Sequence, residues 1–299
     1  MAVTPLQLGQ EAIRVKGWLQ AYKWLILRRL SQLSILALFL LGSWFGIWLV
    51  KGNMVSSVTL EVLPLTDPYV LLQTLFAGHM VESTAVIGAL IVLAFYMLLG
   101  GRVYCAWVCP VNIITDTAEW TRNKLGIKSG MQYSRNVRYW ILGMTLLLAL
   151  FTGTLAWELV NPVSIINRGL VFGMGFAWVI VLAIFLFDTF VSKRAWCGHI
   201  CPVGAFYSLL GKFSLLRVNA HARNKCDDCM ECFAVCPEPQ VIMPALKGEA
   251  KNIGSVILSP NCTNCGRCID ICGKKVFKFD HRFNNQISIK VSHQREVLP

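Results

Sequence analysis

Eight of the twelve cysteines stand in two copies of one spacing, and that spacing decides how the last third of the chain can fold. Cys226-x2-Cys229-x2-Cys232-x3-Cys236-Pro237 is followed by Cys262-x2-Cys265-x2-Cys268-x3-Cys272. Three thiolates so spaced can wrap a tight loop round three corners of a [4Fe-4S] cubane, and in paired motifs the remote fourth cysteine ligates the other cluster. This assigns Cys226, Cys229, Cys232 and Cys272 to one cluster and Cys262, Cys265, Cys268 and Cys236 to a second. Structural zinc needs four ligands per site but does not ask for a doubled, crossed pattern, and a cytoplasmic tail disfavours disulfides. Gly273, not proline, follows the last cysteine, a departure that touches no ligand.

Upstream of this tail the chain is apolar. Leu30–Val50, Ser83–Leu99, Tyr139–Trp157 and Gly169–Phe187 are charge-free runs of 21, 17, 19 and 19 residues. At 1.5 Å per residue such runs approach or exceed the ~30 Å hydrocarbon core of a bilayer. With charged residues at 15% of the chain and hydrophobic residues at 55%, an ordinary soluble enzyme or a disordered chain is excluded. Buried helices of a large soluble protein are the alternative. Four runs in under 200 residues, with Trp44, Trp48, Tyr139, Trp140 and Trp157 near their ends, favour membrane helices. The first run begins about 30 residues in and lacks a small-residue cleavage site, so it does not read as a signal peptide.

The net charge of +12 has a topological reading. Lys and Arg number five in residues 1–29, six in 101–138 and fifteen in 192–299, against Lys51 alone in 51–82 and Arg168 alone in 158–168. Basic short loops hold their side of a membrane in the cytoplasm. A bacterial inner-membrane protein with four spans and both termini cytoplasmic is expected, and nucleic-acid binding loses its support.

The apolar part also repeats itself. Asp67-Pro68 precedes the second run and Asn161-Pro162 the fourth, each an N-cap followed by a first-turn proline. Each run then leads to a C-x3-C-P motif, Arg102-Val-Tyr-Cys105-Ala-Trp-Val-Cys109-Pro110 and Arg194-Ala-Trp-Cys197-Gly-His-Ile-Cys201-Pro202, at offsets of 38 and 36 residues. The reading is two helical hairpins in parallel orientation, joined to a ferredoxin-like α+β di-cluster domain. The segments are 1–29, a four-helix membrane domain over 30–217, and a cytoplasmic domain over 218–299.

Cys105, Cys109, Cys197 and Cys201 form a third set. A separation of four on a helix puts each pair on one face, and the repeat could gather four thiols round a metal or a third cluster. A thiol–disulfide switch and plain packing stay open. His199 occurs in the second motif alone, against a symmetric ligand role. Asp188 is expected to pair with Lys193 or Arg194.

Iron–sulfur centres pass single electrons, and joined to membrane helices they point to a quinone pool. Quinol oxidation needs an apolar slot and a proton acceptor. Among the sparse outer acidic and imidazole groups, His79, Glu82, Asp67 and Glu158 are the candidates for quinol binding; His79 and Glu82 are read as sharing a helix face, and Asp67 is expected to serve chiefly as a helix cap. No motif for a nucleotide, flavin or molybdenum cofactor is present.

The chain resembles the NapH family of ferredoxin-type membrane subunits of periplasmic nitrate reductase systems. The likeness covers nearly all of it: Trp24-Leu-Ile-Leu-Arg28-Arg29, Pro64-Leu-Thr-Asp67-Pro68, Ala77-Gly-His79, Thr152-Gly-Thr-Leu-Ala-Trp157-Glu158, and every cysteine motif. The C-x3-C-P module also occurs in related regulators and assembly proteins. The resemblance implies a quinol dehydrogenase subunit that works with a periplasmic iron–sulfur partner (NapG-like) and passes electrons towards nitrate reductase. The competing class is a non-catalytic redox-sensing or assembly protein for a partner metalloenzyme.

Overall fold

A computed structural model describes residues 8–127, 130–131 and 133–284, so the outer ends of the first and last expected segments lie outside the described residues. Among these residues one helix, Lys23–Phe45, is long and apolar enough to cross a membrane; Ser83–Leu99, Val137–Thr152, Pro162–Phe172 and Ala177–Val191 are shorter apolar helices. The helical architecture follows the apolar pattern, but the four expected runs are not four uniform helices.

Glycines make most of the difference. The first run, Leu30–Val50, becomes Lys23–Phe45, because Gly46 at φ 72° closes the helix and Val50 already belongs to a strand. The third, Tyr139–Trp157, stops at Thr152, where Gly153 takes the left-handed conformation. The fourth, Gly169–Phe187, is broken at Gly173 (φ 104°) into Pro162–Phe172 and Ala177–Leu186, and the latter widens into a π-turn through Val191. The second run keeps its bounds.

The paired caps form as the sequence implies. Asp67 accepts the Tyr69 amide at 2.9 Å and opens Pro68–Phe76, while Asn161 accepts the Val163 amide at 3.1 Å and opens Pro162–Phe172. Between the first helix and Asp67, the segment read as a plain loop folds into an antiparallel sheet of Val50–Gly52, Ser56–Thr59 and Leu63–Thr66, in that order. Leu60 and Glu61, both at positive φ, turn the chain between its last two strands. The third strand runs against Ser83–Leu99. Gly88 permits this, since a Cβ there would lie 3.0 Å from the Pro64 carbonyl.

The tail closes on itself through Leu216–Asn219 paired antiparallel with Lys278–His281, over a core that includes Val218, Ile242, Ile257 and Phe277. It is fastened to the helical part by buried charge. Glu238, 2% exposed, meets Arg102 at 2.7 Å, Arg138 at 3.4 Å and Arg135. Asp116 is shared by Arg194 and Arg267, each at 2.7 Å, and by Arg29. Asp270 accepts the Trp24 and Leu25 amides at the start of the long helix, serving as its N-terminal cap from a distant part of the chain.

Burial alone would raise the Glu238 carboxyl, but its arginines hold it below the ordinary glutamate range. Its folded pKa is therefore below its unfolded one. The stabilisation is complete above about pH 4–5, the unfolded range, and is lost as pH falls through the folded value. Glu238→Gln leaves Arg102 and Arg138 buried without their counter-charge, at an expected cost of about 3–5 kcal/mol. Pulse proteolysis in a urea series should show the 218–284 domain opening at lower urea. A midpoint equal to that of the exposed-site control Glu82→Gln would refute this.

Candidate functional site

The two doubled motifs build matching loops. Asp228 and Met230 in the first, and Asn264 and Gly266 in the second, sit at the same offsets from their cysteines and all have positive φ. Left-handed turns at these points curl the backbone so that its amides line a concavity suited to an anionic cluster. The second loop is held by Trp24, whose ring atoms would lie 2.6 Å from a Cβ on Gly266.

Around each loop the cysteines gather in crossed sets. One cavity is lined by Cys226, Cys229, Cys232 and Cys272 with apolar Phe233, Leu246 and Phe277. Another is lined by Cys262, Cys265, Cys268 and the remote Cys236, with Val218, Ile242 and Ile257. Among the described residues no three His, Cys, Asp or Glu side chains converge on a point where one ion would sit. A cubane does not require such convergence, because its corners hold the four sulfurs apart. Four thiols per apolar cavity, from loops of this shape, fit a [4Fe-4S] group.

The third set also comes together. Cys105, Cys109 and Cys201 pack against one apolar cluster around Tyr104 and Tyr207, and Cys109 and Cys197 against an adjoining one around Val111 and Ile184. Cys105 lies on the short helix Val103–Trp107 and Cys197 on the π-turn Trp196–Ile200, while Cys109 and Cys201 fall past their ends, so the helical i to i+4 geometry expected of both places neither pair. A further cavity is lined by Cys105 and Cys197 on one side and Cys265 on the other. The third set thus faces the cluster site of the second motif. Cys232 and Cys268, one from each cluster set, are electrostatic neighbours in turn.

Sequence reasoning missed the residues that hold these sites in register. Arg102 donates to Glu238, to the Asn261 carbonyl at 2.9 Å and to the Cys197 carbonyl at 3.3 Å. Trp107 Nε1 donates to the Asn264 carbonyl at 3.1 Å. One signal was visible: an arginine stands three residues before the first cysteine of both C-x3-C-P motifs. Asp188 departs from its expected pairing. It accepts the Trp196 amide, while Lys193 and Arg194 turn to Glu119 and Asp116. His199 stands 6.2 Å from the Tyr133 ring, with Nδ1 buried and unpaired.

The quinol candidates separate. His79 and Glu82 are exposed in the connection before Ser83–Leu99, not on a shared helix face, and His79 Nε2 meets the Gly153 carbonyl at 2.9 Å. Glu158 accepts Asn161 Nδ2 at 3.0 Å. Asp67 is a cap, as expected, and also more: its Oδ1 accepts the Tyr207 hydroxyl at 3.3 Å, and the residue lines a cavity of about 290 Å³. Tyr207 stacks on Tyr104 with centroids 4.9 Å apart, and Tyr104 directly precedes Cys105.

Comparison with known proteins agrees with this picture. A family profile described as a 4Fe-4S binding domain matches residues 84–128 and 174–220, the two stretches that carry the C-x3-C-P motifs. A second, described as a 4Fe-4S dicluster domain, matches 219–273. The methylamine utilization ferredoxin-type protein MauN of Paracoccus denitrificans is 55% identical over 89% of this chain and 93% of its own. The ferredoxin-type protein NapH of Haemophilus influenzae is 47% identical over 95% and 99%, and that of Escherichia coli 44% over the same shares. No solved structure matches.

Proposed function

This chain belongs to the NapH/MauN family of ferredoxin-type proteins, and from that premise we propose that it is a bacterial inner-membrane subunit that takes electrons from quinol and relays them through [4Fe-4S] clusters. The carrying observation is the succession of sites: the tyrosine-floored cavity, the four C-x3-C-P cysteines, then the two crossed cysteine sets. Cys262, Cys265, Cys268 and Cys236 would hold the cluster nearer the helices, and Cys226, Cys229, Cys232 and Cys272 the farther one. Cys105, Cys109, Cys197 and Cys201 are proposed as a third redox or metal site.

When bound, the clusters accept single electrons, the chemistry needed to divide the two electrons that quinol gives up together with its two protons. The protein's own part is positional. Arg102 and Glu238 lock the first C-x3-C-P motif to the tail, Asp116 does the same for the second, and the apolar walls bury Cys232, Cys265 and Cys268 while Cys229 stays exposed.

The membrane reading rests on the apolar helices and on the basic asymmetry of the sequence. Periplasmic reporters fused after Lys51 and after Arg168 should be active, and one fused after Gly130 inactive. A cytoplasmic signal from either outer fusion contradicts the topology.

Two destinations for the electrons have support. The NapH resemblance favours a nitrate reductase system with a NapG-like periplasmic partner, while the 55% identity to a MauN favours methylamine oxidation. Expression in Escherichia coli lacking its NapH and in Paracoccus denitrificans lacking its MauN separates them. The nitrate reading expects restored NapH-dependent electron flow to nitrate in the first host; rescue in the second alone contradicts it and supports the methylamine reading.

A further inference from the structure

The position of Asp67 holds more than capping requires. In the second hairpin Asn161 fills the equivalent place before proline and caps its helix equally well. An amide therefore suffices for the cap, and a carboxylate at 67 calls for a separate reason. Its Oδ1 already accepts the Tyr69 amide and the Tyr207 hydroxyl, while Oδ2 has no hydrogen-bond partner among the described residues.

The surroundings supply that reason. The cavity of about 290 Å³ lies between Lys23–Phe45 and Ser83–Leu99, and the three-stranded sheet closes one side. Its walls are chiefly apolar, lined by Leu38, Phe39 and Val92 together with the rings of Tyr96, Tyr104 and Tyr207. Tyr96 meets Tyr207 edge-on at 5.1 Å, and Tyr207 lies flat on Tyr104. Three tyrosine rings form its floor, and Asp67 joins Ser57, Thr59 and Thr66 as its polar lining, at a size near the ~300 Å³ scale where small-molecule sites begin. Asp67 is only partly buried, and its free Oδ2 stays open to a donor from a molecule in the cavity. Burial pushes the Asp67 carboxyl up to about 6, the Tyr69 amide and Tyr207 hydroxyl oppose that rise, and the charge of Glu158 adds to it.

We propose that this cavity binds the quinol headgroup and that Asp67 Oδ2 accepts a hydrogen bond from one of its hydroxyls. The assignment rests on the quinol reading above and adds its location. It also sets the site beside the C-x3-C-P motifs, since Tyr104 in its floor directly precedes Cys105. Asp67 reaches Tyr207 on Pro202–Leu210, the helix that follows the second C-x3-C-P motif.

The test is equilibrium dialysis of decylubiquinol and of menadiol, kept reduced under argon, against the full-length protein with its iron in detergent. Wild-type protein should bind at least one of them. Asp67→Asn, which keeps the cap as Asn161 does, should weaken binding about tenfold or more by removing a charge-assisted acceptor. Leu38→Trp should abolish it by filling the cavity. Both variants should retain the wild-type iron content. A photoactivatable azido-quinone on wild-type protein should label residues within 35–67 or 92–108, or Tyr207, a readout that needs no variant. If wild-type protein binds neither quinol, the quinol reading itself falls, and this site with it. If binding persists through both variants, or the label lands elsewhere, the quinol reading stands and this site is wrong.

Discussion

Cys236→Ala is expected to remove the cluster held by Cys262, Cys265 and Cys268, not the one whose motif contains it, with a loss of about four irons per chain. The reason is spatial: Cys236 lines the cavity of the second motif, while Cys272 lines that of the first. Paired variants make the result sharp. Cys236→Ala combined with Cys262→Ala should lose no more iron than either alone, because both act on one cluster. Combined with Cys226→Ala it should empty both sites. Iron per protein and the electron paramagnetic resonance signal of the reduced protein report the outcome. The reverse pattern, additive with Cys262 and redundant with Cys226, would show that each motif holds its own cluster.

The second large effect is expected at the four C-x3-C-P cysteines. Cys105→Ser and Cys201→Ser, one from each hairpin, should each abolish most quinol-linked electron transfer, and the double variant should be little worse than either. Groups that act as one unit are strongly non-additive in this way. Cysteines that merely packed the bundle would give small effects that roughly add. Electron transfer is measured in membranes with matched protein amounts, alongside iron content. Lost activity with iron unchanged favours a thiol switch or a different metal. A fall of about four irons favours a third cubane. Unchanged activity in the double variant would sink the functional reading of this set.

What the sequence disclosed was local chemistry. The cysteine triplets within each motif and the paired Asp-Pro and Asn-Pro caps depend on neighbours a few residues away, so spacing was enough to find them. The break at Gly173 had a signal in Gly169, Gly173 and Gly175, but an uncharged run hides it from any count of apolar length. The sheet over 50–66 was hidden because its strands are three or four residues long and set in a chain already rich in apolar residues.

The long-range partnerships were out of reach. Asp67 finds Tyr207 across 140 residues and Arg102 finds Glu238 across 136. Glu238 reads in sequence as an ordinary surface acid after a proline, yet it is among the most buried side chains. Asp188 was misread for the opposite reason. Lys193 and Arg194 are near it in sequence, but Glu119 and Asp116 take them in space. His79 and Glu82 drew notice as rare polar groups in the outer loops, and rarity did not place them near the cavity.

The central claim is that quinol reduces the clusters of this chain without help from a partner. Purified full-length protein, oxidised and held anaerobically, is mixed with decylubiquinol or menadiol while the iron–sulfur absorbance and the electron paramagnetic resonance signal are followed. Bleaching and the reduced-cluster signal should appear within the mixing experiment and be fully reversed by the matching quinone in excess. Clusters that stay oxidised with both quinols, yet are reduced by dithionite in the same sample, would contradict it and favour a redox-sensing or assembly role.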